Sequence, residues 1–239
     1  MFRTSNPALA ANAFDVPQSY QSTMTLNGTI NKGFILLLLL TVGAMFVWSN
    51  PVKFMPLMLP AIIVTLVVAL ITIFKKTASP ITAPIYALCE GVVLGVISAT
   101  FERQYPGIAI QAVTITFGVL FCMLFAYRSG LIKATAKFKI GVVSATGAIF
   151  LVYVLDMVLG FFGKGLGFLY SAGPLGILIS LAICTIAALN LILDFDIIEQ
   201  GIKKGAPKYM EWYGAFVLMI TLIWLYLEVL RLLAKMRKR

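Results

Sequence analysis

The chain has no histidine, three cysteines and little charge: Asp, Glu, Lys and Arg make up 12% of its 239 residues. A soluble domain carries about 25%. So few charges cannot cover a water-facing surface, which excludes soluble enzymes, secreted modules and disordered chains. Without histidine there is no His-activated nucleophile, no imidazole metal ligand and no histidine pH switch. Cys89, Cys122 and Cys184 lie inside apolar runs at unrelated spacings and are expected to be small buried hydrophobes. What remains is apolar, 61% of the chain. The sequence reads as a polytopic membrane protein.

Residues 1–32 are polar, with Pro7, Pro17 and scattered Ser, Thr and Asn, and are expected to be a flexible N-terminal tail without a signal-peptide core. The transmembrane domain is 33–239. Its apolar runs fall at 33–49, 55–74, 83–101, 107–127, 140–162, 173–195 and 212–233, each near the ~20 residues that cross a bilayer. Solid runs such as Phe34 to Leu40 exclude the alternating pattern of a barrel, so the fold is expected to be all-α. Short connections imply that consecutive helices are antiparallel neighbours. Small residues four apart, Gly91 and Gly95, and Gly141 and Ala145 with Ile149 next on the same face, suggest close helix contacts. Gly163, Gly165, Gly167 and Gly173 mark a flexible turn.

The net charge of +10 comes from Lys and Arg placed between and after the apolar runs. There they act as topology signals and contacts to anionic lipid rather than to nucleic acid. Arg3, Lys32, Lys75, Lys76, Arg128, Lys133, Lys137, Lys139, Lys203, Lys204 and Lys208 fall on one side. Only Lys53, Arg103 and Lys164 fall in the opposite loops. The bias puts the N-terminus in the cytoplasm. The basic C-terminus, Arg231 to Arg239, conflicts with it if the last run crosses, so seven crossings compete with a re-entrant last segment.

Five acids, Glu90, Asp156, Asp194, Asp196 and Glu228, lie within or at the end of apolar runs, where an ionisable group costs about 2.5–3.5 kcal/mol. Glu228 stands three residues before Arg231, which predicts a helix-surface ion pair. Asp156 suits either a shallow hydrated place or an ion pathway, and Glu90 has no nearby cation in sequence. Asp194 and Asp196 point to different sides of a helix, whereas Asn190 shares a face with Asp194 and builds a polar stripe. Clustered carboxylates in a low dielectric can respond to pH and bind hard cations. Cation conduction, proton coupling and proteolysis by paired aspartates (Asp156 with Asp194) are the candidate chemistries. The last lacks a Gly-x-Gly-Asp signature, because Gly165-Leu-Gly167 is followed by Phe168.

The segment Asn190-Leu-Ile-Leu-Asp194-Phe-Asp196-Ile-Ile-Glu199 resembles the end of the sixth helix in the Bax inhibitor-1 (transmembrane Bax-inhibitor-motif) family. Ser5-Asn6-Pro7, Met24-Thr25-Leu-Asn-Gly28-Thr29, Ile85-Tyr86-Ala-Leu-Cys-Glu90-Gly91 and Gly205-Ala-Pro207-Lys-Tyr209-Met-Glu211-Trp212-Tyr213-Gly214 are similar to its bacterial, YccA-like branch. The resemblance implies seven helices with the last packed centrally, in the inner (cytoplasmic) membrane. It also implies a pH-sensitive calcium leak gated by two acids, one of them Asp194 or Asp196 and the other best matched by Glu211. A basic partner of the gate falls on Lys75 or Lys76. The alternative it implies is a regulator of a membrane protease or stress-response complex, acting through the N-terminal tail. No cofactor is expected beyond transient binding of calcium or protons, and no nucleic-acid partner.

Overall fold

The computed structural model describes residues 23–238, so the expectation of a flexible tail falls for residues 1–22 outside the described residues. The helices are α1 (Leu26–Trp48), α2 (Pro51–Phe74), α3 (Ser79–Gln104), α4 (Ile108–Arg128), α5 (Ala136–Phe161), α6 (Gly167–Tyr170), α7 (Pro174–Lys203) and α8 (Met210–Arg237). A 3-10 turn at Lys76–Ala78 leads into α3. No strand forms among the described residues, although an isolated bridge joins Thr23 to Pro207. Seven helices, all but α6, are long and apolar enough to cross a membrane. Helices satisfy their own backbone hydrogen bonds, as hydrocarbon requires.

The helices outrun the apolar runs. The first begins at Leu26, inside the segment read as tail, and α7 continues to Lys203. The continuation of α7 is polar but bonded: Asp196 pairs with Lys139 of α5, and Glu199 with Lys203 at 2.5 Å. The last helix runs unbroken from Met210 to Arg237. At 1.5 Å per residue that is about 40 Å, enough for a full crossing. A re-entrant last segment is therefore not what forms. The start of α1 and the start of α8 lie at one end of the bundle, and the ends of α5 and α8 at the other.

The order in sequence is not the order in space. α1 packs along α3 and barely touches α2, while α2 packs on α3 and α5 on α7. Consecutive spans are therefore neighbours at α2–α3, α5–α7 and α7–α8, as the short connections implied, but scarcely at α1–α2. Glycines decide the α1–α3 contact. A Cβ on Gly91 would stand 2.2 Å from the Leu40 carbonyl oxygen, and one on Gly43 would stand 2.4 Å from that of Leu88. The other small-residue stripe makes no such contact, since a Cβ on Gly141 would meet nothing within 4 Å. The last helix is central: α8 packs against α1, α3, α4 and α7 and buries Phe216, Met219, Leu225 and Leu230. α2 and α5 remain peripheral. Cys184 is buried as expected, Cys89 is half-buried, and Cys122 is exposed on α4.

Candidate functional site

The inner face of α8 repeats every seven residues through Gly214, Thr221, Glu228 and Lys235. Seven residues fall about 20° short of two full turns, so these positions share one face. Opposite them α7 presents Ile198 against Gly214, Asp194 against Thr221, and Ser180 against Lys235. The α7–α8 seam is thus apolar in bulk, with Leu191 and Leu225 buried in it, but polar at regular levels.

Asp194 is buried, and its Oδ2 has no hydrogen-bond partner. Its polar neighbour is the Thr221 hydroxyl. No cation among the described residues pairs with it. Asn190, one turn earlier, donates instead to Thr146 of α5 at 2.8 Å and to the Ile186 carbonyl at 2.8 Å. The expected Asn190–Asp194 stripe is therefore split, one residue engaging α5 and the other α8. Asp196 faces α5, accepting from Lys139 and, at 2.5 Å, from Gln200. Glu90 is half-buried on α3 with Thr65 of α2 as its polar neighbour.

Glu211 belongs to a different structure. Thr25 is the N-cap of α1, its hydroxyl accepting from Gly28 N at 3.0 Å. In a capping box, a Glu three residues after the cap reaches back to the cap's N–H. Here that position is Gly28, and Glu211 of α8 takes the role from across the bundle. It accepts from Thr25 N at 3.1 Å and Thr25 Oγ1 at 2.9 Å. A Cβ on Gly28 would stand 1.9 Å from Glu211 Oε1, so a side chain there would push the carboxylate off the cap. Lys32 approaches the other oxygen at 3.8 Å. The gate acids expected to cluster, Asp194, Asp196 and Glu211, are not bonded to one another: Asp196 has its partner on α5 and Glu211 on α1, while Asp194 faces Thr221 of α8. Of the two expected basic partners, Lys76 lies 5.2 Å from the centre of the Tyr213 ring, and Lys75 caps α2.

The far end of the seam holds the network that sequence reasoning saw least of. The Glu228–Arg231 pair forms at 3.0 Å, but Glu228 is 1% exposed, so it is a buried pair and not a surface one. Tyr153 of α5 donates to Glu228 at 2.7 Å and accepts from Arg231 at 2.6 Å. Asp156 is buried and accepts from Leu166 N at 2.7 Å and from the Tyr170 hydroxyl at 2.6 Å, which fastens the glycine-rich turn instead of leaving it loose. That bond, and secondarily burial, holds the Tyr170 phenol above its usual range. Asp156 and Asp194 do not form a catalytic pair. Counted from the Thr146–Asn190 bond, Asp156 lies ten residues toward one end and Asp194 four toward the other. At 1.5 Å per residue they are about 20 Å apart.

Fold and site together define a polytopic helical membrane protein that carries acids inside its bundle. The Bax inhibitor 1 like family model matches residues 6–238, and the chain belongs to that family. No curated protein and no solved structure matched it.

Proposed function

We propose that the protein is a pH-modulated cation leak, calcium included, with Asp194 as its controlling carboxylate. The observation that carries this reading is the unpaired oxygen of Asp194, buried between α7 and α8 within the spanning region. An acid kept there without a cation partner is costly and points to function. Its oxygens suit a hard cation, and protonation would remove the charge that attracts one. Family membership supports the reading. Asp196 is held by Lys139, and Glu211 by Thr25 with Lys32 3.8 Å from its other oxygen, so each of these acids has a cation nearby, which Asp194 lacks among the described residues.

The basic residues support an N-terminus in the cytoplasm. Among the C-terminal charges that oppose this, Arg231 is paired with Glu228, and Lys235 and Arg237 are bonded to protein oxygens. They are internal ligands as well as topology signals, which weakens their vote.

The test is calcium flux into proteoliposomes from pH 5 to 8. Wild type should show pH-dependent flux, and Asp194→Asn should flatten its pH dependence, while Asp196→Asn should leave the dependence in place. No flux above empty vesicles from folded wild type would overturn the leak. Unchanged pH dependence in Asp194→Asn would overturn the assignment of the acid.

A further inference from the structure

Lys235 is the third polar level of the α8 face, and the leak reading does not use it. Its side chain is buried, and no carboxylate among the described residues lies within 4 Å of its ammonium. An ammonium has three N–H donors. Here each has an oxygen: the Leu169 carbonyl at 2.5 Å, the Gly176 carbonyl at 3.1 Å and Ser180 Oγ at 2.6 Å. The acid nearest along the helix, Glu228, is already bonded to Arg231, so the Lys235 charge is surplus. Two carbonyls and a hydroxyl, converging in a buried place, are the ligand type that replaces the hydration shell of a small monovalent cation.

We propose that these oxygens form a monovalent-cation site and that Lys235 is a tethered cation occupying it, closing this end of the α7–α8 seam to free ions. The site stands on its own geometry; its part in permeation rests on the leak reading above. Three elements meet there. The Leu169 carbonyl comes from α6, Gly176 and Ser180 from the first turns of α7, and the ammonium from the last turns of α8. Gly176 fits this close arrangement, since a Cβ there would stand 2.1 Å from the Ser171 carbonyl oxygen. The connector is thereby held against α7 with its Leu169 carbonyl turned to the ammonium. An arginine would not serve in the same place, because its planar fork spreads its donors where this cage converges on a point.

Two measurements test the proposal. The first is Rb⁺ efflux from proteoliposomes holding wild type or Lys235→Met, which keeps the apolar stem and removes the charge. Efflux from the variant should be faster by about tenfold, the factor expected from losing one nearby like charge. The second is the thermal midpoint of Lys235→Ala, which should rise with methylammonium and with Rb⁺ but not with tetramethylammonium, which has no N–H donor and is too large. If Lys235→Met does not fold, Lys235→Gln takes its place. Equal efflux from folded variant and wild type overturns the plug. A midpoint indifferent to methylammonium and Rb⁺ overturns the site. A wild type that passes no calcium, while Lys235→Ala is still stabilised by both cations, refutes the leak and keeps the site.

Discussion

At the scale of single residues, the buried charges are held by partners far away in sequence. Glu228 and Arg231 are three apart, but the Tyr153 that joins them is on another helix. Removing one member leaves a charge inside the bundle, which costs about 3 kcal/mol, whereas replacing both by apolar residues is far milder. Thermal unfolding in detergent should therefore show Arg231→Met much less stable than wild type, and Glu228→Met/Arg231→Met recovering most of the loss. Tyr170 supplies a pH prediction. Its phenol is raised by the bond to Asp156, so the fold favours the neutral form. That contribution is present below the ordinary tyrosine value of about 10 and is lost as pH rises through the raised one. A difference titration between wild type and Tyr170→Phe should place the Tyr170 phenolate at higher pH than the same difference taken in an Asp156→Ala background. At this scale the sequence was half legible. Acids in apolar runs could be found by inspection, and so could the Glu228–Arg231 pair. Thr25, Lys139 and Tyr153 could not, because nothing local marks a partner 186, 57 or 75 positions away.

Between helices, glycine decides which faces meet. The four-residue spacing of Gly91 and Gly95 revealed a close-packing face but not its occupant, since spacing describes one surface and a contact needs two. The occupant is α1, and the matching signal was Gly43. Gly141 shows the limit of the pattern: it has the same spacing and nothing in front of it. Gly91→Val should therefore lose about 1–3 kcal/mol to overpacking, read as a lower thermal midpoint. Gly141→Ala should be neutral or gain up to about 1 kcal/mol from helix propensity. Gly28 marks a further approach, where the missing side chain admits Glu211 to the cap of α1. Gly28→Ala should cost about 2 kcal/mol by displacing a buried carboxylate from its donors, again visible in thermal unfolding.

For the whole molecule, seven helices long enough to span, each crossing once, would put the start of α1 and the end of α8 on opposite faces. Single cysteines at Lys133 and Lys204 should be labelled by an impermeant thiol reagent from one side, and those at Lys53, Lys164 and Lys238 from the other, once the three native cysteines are removed. Labelling of Lys238 with the first group would contradict the full crossing of α8. The class of fold and the number of crossings were legible because hydrocarbon accepts little besides apolar helices of sufficient length. The central place of α8 was not readable from its hydropathy, and came only from the family resemblance. Its placement also bears on how the chain is made. Arg231 bonds Tyr153, Lys235 bonds the Leu169 and Gly176 carbonyls, and Arg237 bonds the Pro106 carbonyl and Gln111. Every one of these partners is synthesised before the cation that needs it. The last helix, with the most charges of any, therefore leaves the ribosome after every group that bonds its cations, and none of those bonds waits on chain still to be made.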